Sequence, residues 1–295
     1  HQNCRCRGGR RIMYTNVEQV TSRRNVIVAA FRAVAAGQVA AHDRVLLDGR
    51  HLVEEAIRAG LSITVLAMTA SRLADDPAAA ALASSLADAD TRVLSVTDRV
   101  MEAMSPVTSP SGFVALAERP TVTLDEVMAR RPQLVLGLVD IQNPGNLGAI
   151  IRTAHAGDAT GIVTTGECTD PYGWKALRGA MGGTFRIPVV RRAAPMSLVA
   201  HARSCGLEVV AIVARGGTQL YDVDLTRPTL AMVGGEGTGL PQDLVSAADG
   251  ALSIPMLGAA ESLNAATAAG LVIYEAFRQR HIASAHPPAT EDDNR

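Results

Sequence analysis

Apolar residues follow two alternating rhythms along the chain. Short runs rich in Val, Leu and Ile, at residues 45–47, 63–68, 92–96 and 112–117, read as buried strands. Between them apolar positions recur at helical spacing. Val26, Ile27, Ala30, Phe31 and Val34 predict a helix over 21–37 with Ser22 as its N-cap. Further helices are expected over 52–59, closed by Gly60, over the Ala-rich stretch 77–88, and over 98–104. This alternation predicts a small α/β domain over 19–118.

Pro120 and Pro132 bracket a predicted helix over 124–130, with Thr123 and Glu126 in capping-box positions. The domain junction is placed there, with 119–132 as a linker helix. Beyond it, strands are expected at 134–139, 162–165, 185–190, 209–213, 230–233 and 252–254, with helices between them and a long last helix over 262–280. Near-continuous Val/Leu/Ile strands separated by helices predict a parallel sheet covered on both faces, in a second domain over 133–282. Residues 1–18 read as a disordered basic tail and 283–295 as a disordered tail rich in Pro, Ala and acid.

Composition narrows the class. Of 295 residues 47% are hydrophobic and 3% aromatic, and no apolar run reaches membrane-spanning length. The first residues are polar and Arg-rich rather than a secretory signal, so a cytoplasmic protein with no membrane partner is expected. Cys4, Cys6, Cys168 and Cys205 show no Cys-x-x-Cys spacing. His1, Cys4 and Cys6 lack a fourth ligand, which argues against structural zinc, and no metal is expected.

The net charge of −1 hides an uneven distribution: residues 1–60 carry ten Arg against five acids, and residues 61–118 carry three Arg against seven acids. Any nucleic-acid surface is therefore local, with Arg23 and Arg24 the first candidates and a solvated helix face the bland alternative. Lys175 is the sole lysine and follows Trp174. That excludes a Gly-Lys-Ser/Thr phosphate loop and its nucleotide hydrolases.

Three stretches carry the candidate chemistry. The first is Asn143-Pro144-Gly145-Asn146-Leu147-Gly148 with Arg152 beyond it, read as a turn after strand 134–139 and a helix from Leu147. Arg152, about a turn and a half into that helix, suits an anion near the helix N-terminus. Pairing with Asp140 or Asp158 is the equally open alternative, and Asn146 could be no more than an N-cap.

The second stretch, Val233-Gly234-Gly235-Glu236-Gly237-Thr238-Gly239-Leu240, imitates a dinucleotide loop. Glu236 would repel a pyrophosphate, however, and the loop falls late, with 56 residues after Gly239, where a dinucleotide fold begins with it. A nicotinamide oxidoreductase is therefore not expected. The third stretch joins Ile254-Pro255-Met256-Leu257-Gly258 to Glu261-Ser262-Leu263-Asn264-Ala265. Ser262 is an N-cap candidate there, Asn264 could serve backbone groups alone, and no nucleophile-elbow pattern surrounds Ser262.

In this order the three stretches resemble the signature motifs of the SpoU-type, TrmH-like RNA ribose 2′-O-methyltransferases of the SPOUT superfamily. The resemblance spans about residues 133–281. It reaches more loosely over 20–118, through Ser22-Arg23-Arg24-Asn25, Leu47-Asp48-Gly49-Arg50 and Pro110-Ser111-Gly112. It implies a trefoil-knotted parallel-sheet methyltransferase domain, an exception to the rarity of knots, behind a small α/β substrate-binding domain. It implies S-adenosylmethionine as cofactor, held around Gly234, Ile254 and Leu263, with catalytic positions at Asn146, Arg152, Glu236, Ser262 and Asn264. RNA contacts are expected at Arg23, Arg24 and Arg50, and a homodimer through the knotted domain.

The implied partner is RNA, with 23S ribosomal RNA first and transfer RNA second. A catalytically silent RNA-binding or assembly factor with the same fold is the alternative from another class. One departure is Ala180, where many relatives carry Ser, which would bear on the RNA pocket.

Overall fold

A computed structural model describes residues 17–38, 41, 43–89, 91–130, 134–257 and 261–285. The chain divides into two units, His1–Val53 with Ser62–Glu118, and Glu54–Leu61 with Arg119–Arg295. Residues 1–16 and 286–295, which hold most of both expected tails together with Cys4 and Cys6, lie outside the described residues.

The first unit carries a five-stranded sheet of β1 (Val17–Val20), β2 (Arg44–Asp48), β3 (Ile63–Thr69), β4 (Arg92–Val96) and β5 (Phe113–Glu118). The strand order is β1-β4-β3-β5-β2. β1 and β3 run parallel to β4, while β5 runs antiparallel to both β2 and β3. Four strands therefore end, and β5 begins, at one end of the sheet. Helices α1 (Val26–Ala35), α3 (Ala70–Asp75), α4 (Pro77–Ala87) and α5 (Asp98–Met104) complete this unit, together with the start of α2 (Arg50–Arg58), which passes into the second unit at Glu54.

Three details correct the sequence reading. β1 includes Val17 and Glu18, assigned above to the tail; its pairing with β4, Val17 beside Val93 and Val20 beside Val96, supplies partners that its short pattern did not reveal. α1 starts at Val26, because Asn25 Oδ1 accepts Ile27 N–H at 3.0 Å. Ser22 instead accepts from Arg24 N–H outside the helix. The unforeseen α3 starts from Thr69, whose Oγ1 accepts the Arg72 N–H.

The second unit is built on a seven-stranded sheet with every pairing parallel. Its strands are β6 (Leu134–Val139), β7 (Gly161–Thr165), β8 (Val189–Ala193), β9 (Glu208–Val213), β10 (Thr218–Gln219), β11 (Thr229–Gly234) and β12 (Gly250–Ser253). The order is β10-β12-β9-β11-β6-β7-β8. Its helices are α6 (Leu124–Met128), α7 (Pro144–Ala156), α8 (Trp174–Ala180), α9 (Pro195–Ser204), α10 (Gln242–Ala247) and α11 (Ala265–Ala285).

Side chains alternate along the interior strand β6, as a period of two demands. Leu134, Leu136 and Leu138 pack with Ile150 and Ile151 of α7 and Val272 and Ile273 of α11. Val135 and Val139 face the opposite core with Leu198 of α9 and Leu244 of α10. Both faces of the sheet are thus covered, which is why its strands read as unbroken apolar runs.

The predicted strand over 185–190 begins only at Val189. Phe185 closes a 3-10 turn, and the Arg186 and Ile187 N–H groups donate back to Gly183, so the chain coils until Pro188. The helix predicted over 124–130 ends at Met128, with the Thr123–Glu126 capping box formed. Helix α11 starts at Ala265, not Ser262, and continues to Ala285.

Candidate functional site

The site gathers where β6, β11, β9 and β12 end side by side. After β6 the chain turns through Asp140, whose φ of 56° is left-handed. Asn143 then caps α7, its Oδ1 accepting the N–H groups of Gly145 (2.8 Å) and Asn146 (3.2 Å). Pro144 fills the first helical position, where its missing N–H costs nothing. The helix therefore starts three residues before the expected Leu147, and Asn146 is not its cap. Freed from capping, the Asn146 side chain donates from Nδ2 to Glu236 Oε1. Its Oδ1 accepts from Asn264 Nδ2 at 3.2 Å.

Asn264 has two roles. Its Oδ1 caps α11 by accepting the N–H groups of Ala266 (2.9 Å) and Thr267 (3.3 Å), while its amide reaches Asn146. One residue from each of the three stretches thus joins a single hydrogen-bonded chain, Glu236–Asn146–Asn264.

Glycines fix the second stretch by close approach. A Cβ on Gly234 would lie 2.2 Å from the Gly239 carbonyl carbon, and one on Gly235 would lie 2.2 Å from the Asp140 carbonyl oxygen. The loop folds back on itself, Gly239 N–H donating to Gly235 O at 3.2 Å, and leaves Glu236 exposed beside Asn146.

This loop walls a cavity of about 730 Å³, within the range of small-molecule sites. Gly234, Ile254, Leu263, Glu236 and Ser262 all line it. Ser262 neither caps α11 nor makes a hydrogen bond among the described residues. The cavity also takes in Arg215, Gly216 and Gly217 after β9 and Gln242 of α10, which the sequence reading missed. A strand running into Gly-Gly was the available signal; what the sequence could not supply was that β9 lies between β11 and β12.

Arg152 lies apart from this linkage. It is exposed on α7, more than two turns from Pro144, beyond the first turn to which the helix-end charge is confined. The expected boost from the helix N-terminus is therefore lost. Neither Asp140 nor Asp158 pairs with it: Asp140 Oδ1 accepts the Glu167 N–H at 2.7 Å. Among the described residues no hydrogen bond or ion pair engages the Arg152 guanidinium. Gly183 packs beside its backbone, its Cβ position 3.5 Å from the Arg152 Cα. Ala180 is buried in the core cluster that includes Leu147, Ile150 and Ile151 of α7.

In the first unit Arg23 and Arg24 are exposed between β1 and α1, and Arg50 begins α2 after β2. All three lie at the same end of the sheet but at its opposite edges, four strand spacings or roughly 19 Å apart. Arg50 pairs with Asp76 at 3.1 Å. Among the described residues no cluster of His, Cys, Asp and Glu is built to hold a metal, and no helix is long and apolar enough to cross a membrane.

The SpoU rRNA methylase family model matches residues 133–274, and the MRM3-like substrate-binding domain model matches 40–115. An uncharacterised tRNA/rRNA methyltransferase of Synechocystis is 31% identical over 274 residues, covering 92% of this chain and 97% of its own. The chain belongs to the SpoU rRNA methylase family.

Other SpoU relatives carry more specific names. The 23S rRNA (guanosine(2553)-2′-O)-methyltransferase RlmP of Bacillus subtilis is 30% identical over 78% of this chain and 86% of its own. Among solved SpoU structures, the AdoMet-bound rRNA methyltransferase of Sinorhizobium meliloti superposes with a TM-score of 0.79 at 31% identity, over 89% of this chain and 98% of that one. AviRb of Streptomyces viridochromogenes, in complex with AdoMet, gives 0.78 at 30% identity, over 88% and 99%.

Proposed function

We propose that this SpoU protein transfers a methyl group from S-adenosylmethionine to a ribose 2′-hydroxyl of 23S ribosomal RNA. The observation that carries the reading is the Glu236–Asn146–Asn264 linkage at the rim of the 730 Å³ cavity. The cavity suits the cofactor: glycine backbone that no Cβ can crowd on one side, and Ile254 with Leu263 on another. Gly234, Ile254 and Leu263 would hold the adenosine. When bound, S-adenosylmethionine supplies a methyl group already activated by its sulfonium, with a neutral thioether as leaving group.

The protein must then place the hydroxyl in line and ease its deprotonation. Arg152 is assigned to the neighbouring phosphate and to the charge developing on the ribose oxygen. Arginine is a poor proton acceptor in proteins, so its role is electrostatic. Glu236 holds Asn146, and Asn146 with Ser262 and Asn264 orients the ribose. Arg23, Arg24 and Arg50 dock the RNA through phosphates and shape; their spread across one end of the sheet supports an extended RNA contact rather than a point one.

Ribosomal RNA is favoured because RlmP and the Sinorhizobium meliloti enzyme are rRNA methyltransferases by name, and transfer RNA ranks second. That substrate sets the enzyme in the cytoplasm. Homodimerisation through the second unit, threaded as the family's trefoil knot, completes the reading. It is supported by the exposed apolar pair Leu271 (39%) and Tyr274 (50%), one turn apart on α11.

The test is incubation with methyl-labelled S-adenosylmethionine and naked ribosomal RNA, assembled ribosomal particles or bulk transfer RNA, beside Arg152→Ala. Label at one alkali-resistant linkage in ribosomal RNA, absent with the variant, is the expected result. Label in transfer RNA alone would move the substrate class. Cofactor binding without label in any RNA would leave an RNA-binding factor.

A further inference from the structure

Asp140 adopts a backbone conformation that non-glycine residues rarely take, and nothing in the assigned chemistry uses it. Its φ is 56°, directly after β6 and three residues before the cap of α7. Asn and Asp tolerate this region better than other non-glycine residues. At such a site strain persists only if the surroundings enforce it. Here three contacts do. Its carbonyl oxygen lies against Gly235 so closely that a Cβ there would come within 2.2 Å. Its Oδ1 accepts the Glu167 N–H at 2.7 Å. A Cβ on Gly166, itself at a φ of 60°, would meet that same Oδ1 at 2.2 Å.

The neighbouring residue extends the brace. Ile141 N–H donates to Cys168 Sγ at 3.2 Å, and Thr169 N–H donates to the Ile141 carbonyl at 2.9 Å. The loop that leads into Asn143 and Asn146 is thus tied on one side to the loop after β7. On the other it abuts the residue immediately before Glu236.

We propose that Asp140 is a positioning residue for methyl transfer, fixing the register in which Asn146 meets Glu236. It touches neither substrate nor cofactor in this assignment, and the proposal rests on the methyltransferase reading above. The left-handed turn points the Asp140 carbonyl at Gly235, while the side chain anchors Glu167. Release of that anchor lets the start of α7 shift relative to Glu236.

The test compares Asp140→Ala, Asp140→Gly and Asp140→Asn in the full chain. Methyl-transfer kinetics, S-adenosylmethionine titration and the NMR signal of the Asn146 side-chain amide are the three readouts. Asp140→Gly removes the acceptor while relieving the left-handed strain, so it separates the hydrogen bond from the backbone. Asp140→Ala and Asp140→Gly are expected to lower kcat at least tenfold with cofactor affinity within threefold, and to shift the Asn146 amide signal. Asp140→Asn, which keeps an Oδ1 acceptor, should restore most of the rate and the original signal.

Wild-type kcat in Asp140→Gly, or an Asn146 signal unmoved by any substitution, overturns the proposal. So does a loss that Asp140→Asn fails to rescue. If the wild type itself transferred no methyl group, the functional reading would fall, while the Asn146 signal would still decide whether Asp140 sets that contact. Should Asp140→Ala fail to fold, the Gly and Asn variants carry the comparison.

Discussion

Asn146 donates its side-chain amide to the carboxylate of Glu236, ninety residues away in sequence. The contact exists because Asn143 takes the helix cap and leaves the Asn146 side chain free. Its strength as a charge-assisted bond is tempered by exposure, so its value lies in orientation rather than stability.

Glu236→Ala and Asn146→Ala should therefore each lower kcat by tenfold or more while the melting temperature stays within a few degrees. The double variant should lose much less than the product of the two, a coupling of about 1 kcal/mol or more. A double-mutant cycle on kcat/KM measures it. Fully multiplicative losses would mean that the two residues act independently.

Arg152 is exposed and its guanidinium has no partner among the described residues, so its removal leaves no buried group unpaired. Arg152→Ala should abolish methyl transfer with cofactor affinity within a few-fold and little change in stability. Arg152→Lys should recover little, because a point charge cannot reproduce the planar fork that binds phosphate oxygens two at a time. Wholesale loss of cofactor binding in Arg152→Ala, by titration calorimetry, would contradict the role given to it.

Gly234 meets the backbone of Gly239 and Leu240 with no room for a side chain: its Cβ position is 2.2 Å from the Gly239 carbonyl carbon and 2.3 Å from the Leu240 nitrogen. Main-chain atoms cannot step aside as a flexible side chain can, so Gly234→Ala must move the loop that walls the cavity. The expected outcome is at least a tenfold weaker S-adenosylmethionine Kd, with destabilisation on the scale of overpacking, about 1–3 kcal/mol. Gly237→Ala tests the other way a glycine can matter. Its φ of 89° demands glycine although open space surrounds it, so the cost should be backbone strain alone.

The strands of the second unit were legible because both sheet faces are buried, which turned β6 and β11 into unbroken apolar runs. Helix starts were harder. Ser22, Leu147 and Ser262 marked the expected beginnings, yet Asn25, Asn143 and Asn264 made the caps. Ser and Asn cap about equally well, so choosing between neighbours depended on loop geometry that the local pattern did not carry. Within the candidate site, Gly234, Glu236, Ile254, Ser262 and Leu263, the positions that the family resemblance implied, share one cavity. Arg215 escaped notice because its place beside them comes from strand order. β1 was missed because four residues with one buried position offer too little periodicity to read.

Tyr172 supplies a test on a different axis, pH. Its ring is buried, Arg119 lies over it at 5.4 Å, and Asp170 accepts the Tyr172 N–H at 3.0 Å. Burial pushes the phenol up to about 12, against the opposing pull of Arg191 and Arg119. Between roughly pH 10 and 12 the unfolded chain gives up this proton while the folded protein keeps it, so the folded state binds more protons there. Stability must then fall as pH rises through that window, by about 2–3 kcal/mol for this group alone. Tyr172→Phe has no proton to lose and should show a shallower decline over the same range. Chemical denaturation at a series of alkaline pH values measures the two slopes. Equal slopes would mean that Tyr172 ionises as freely in the folded protein as in the unfolded chain, and that its burial does not hold the phenol neutral.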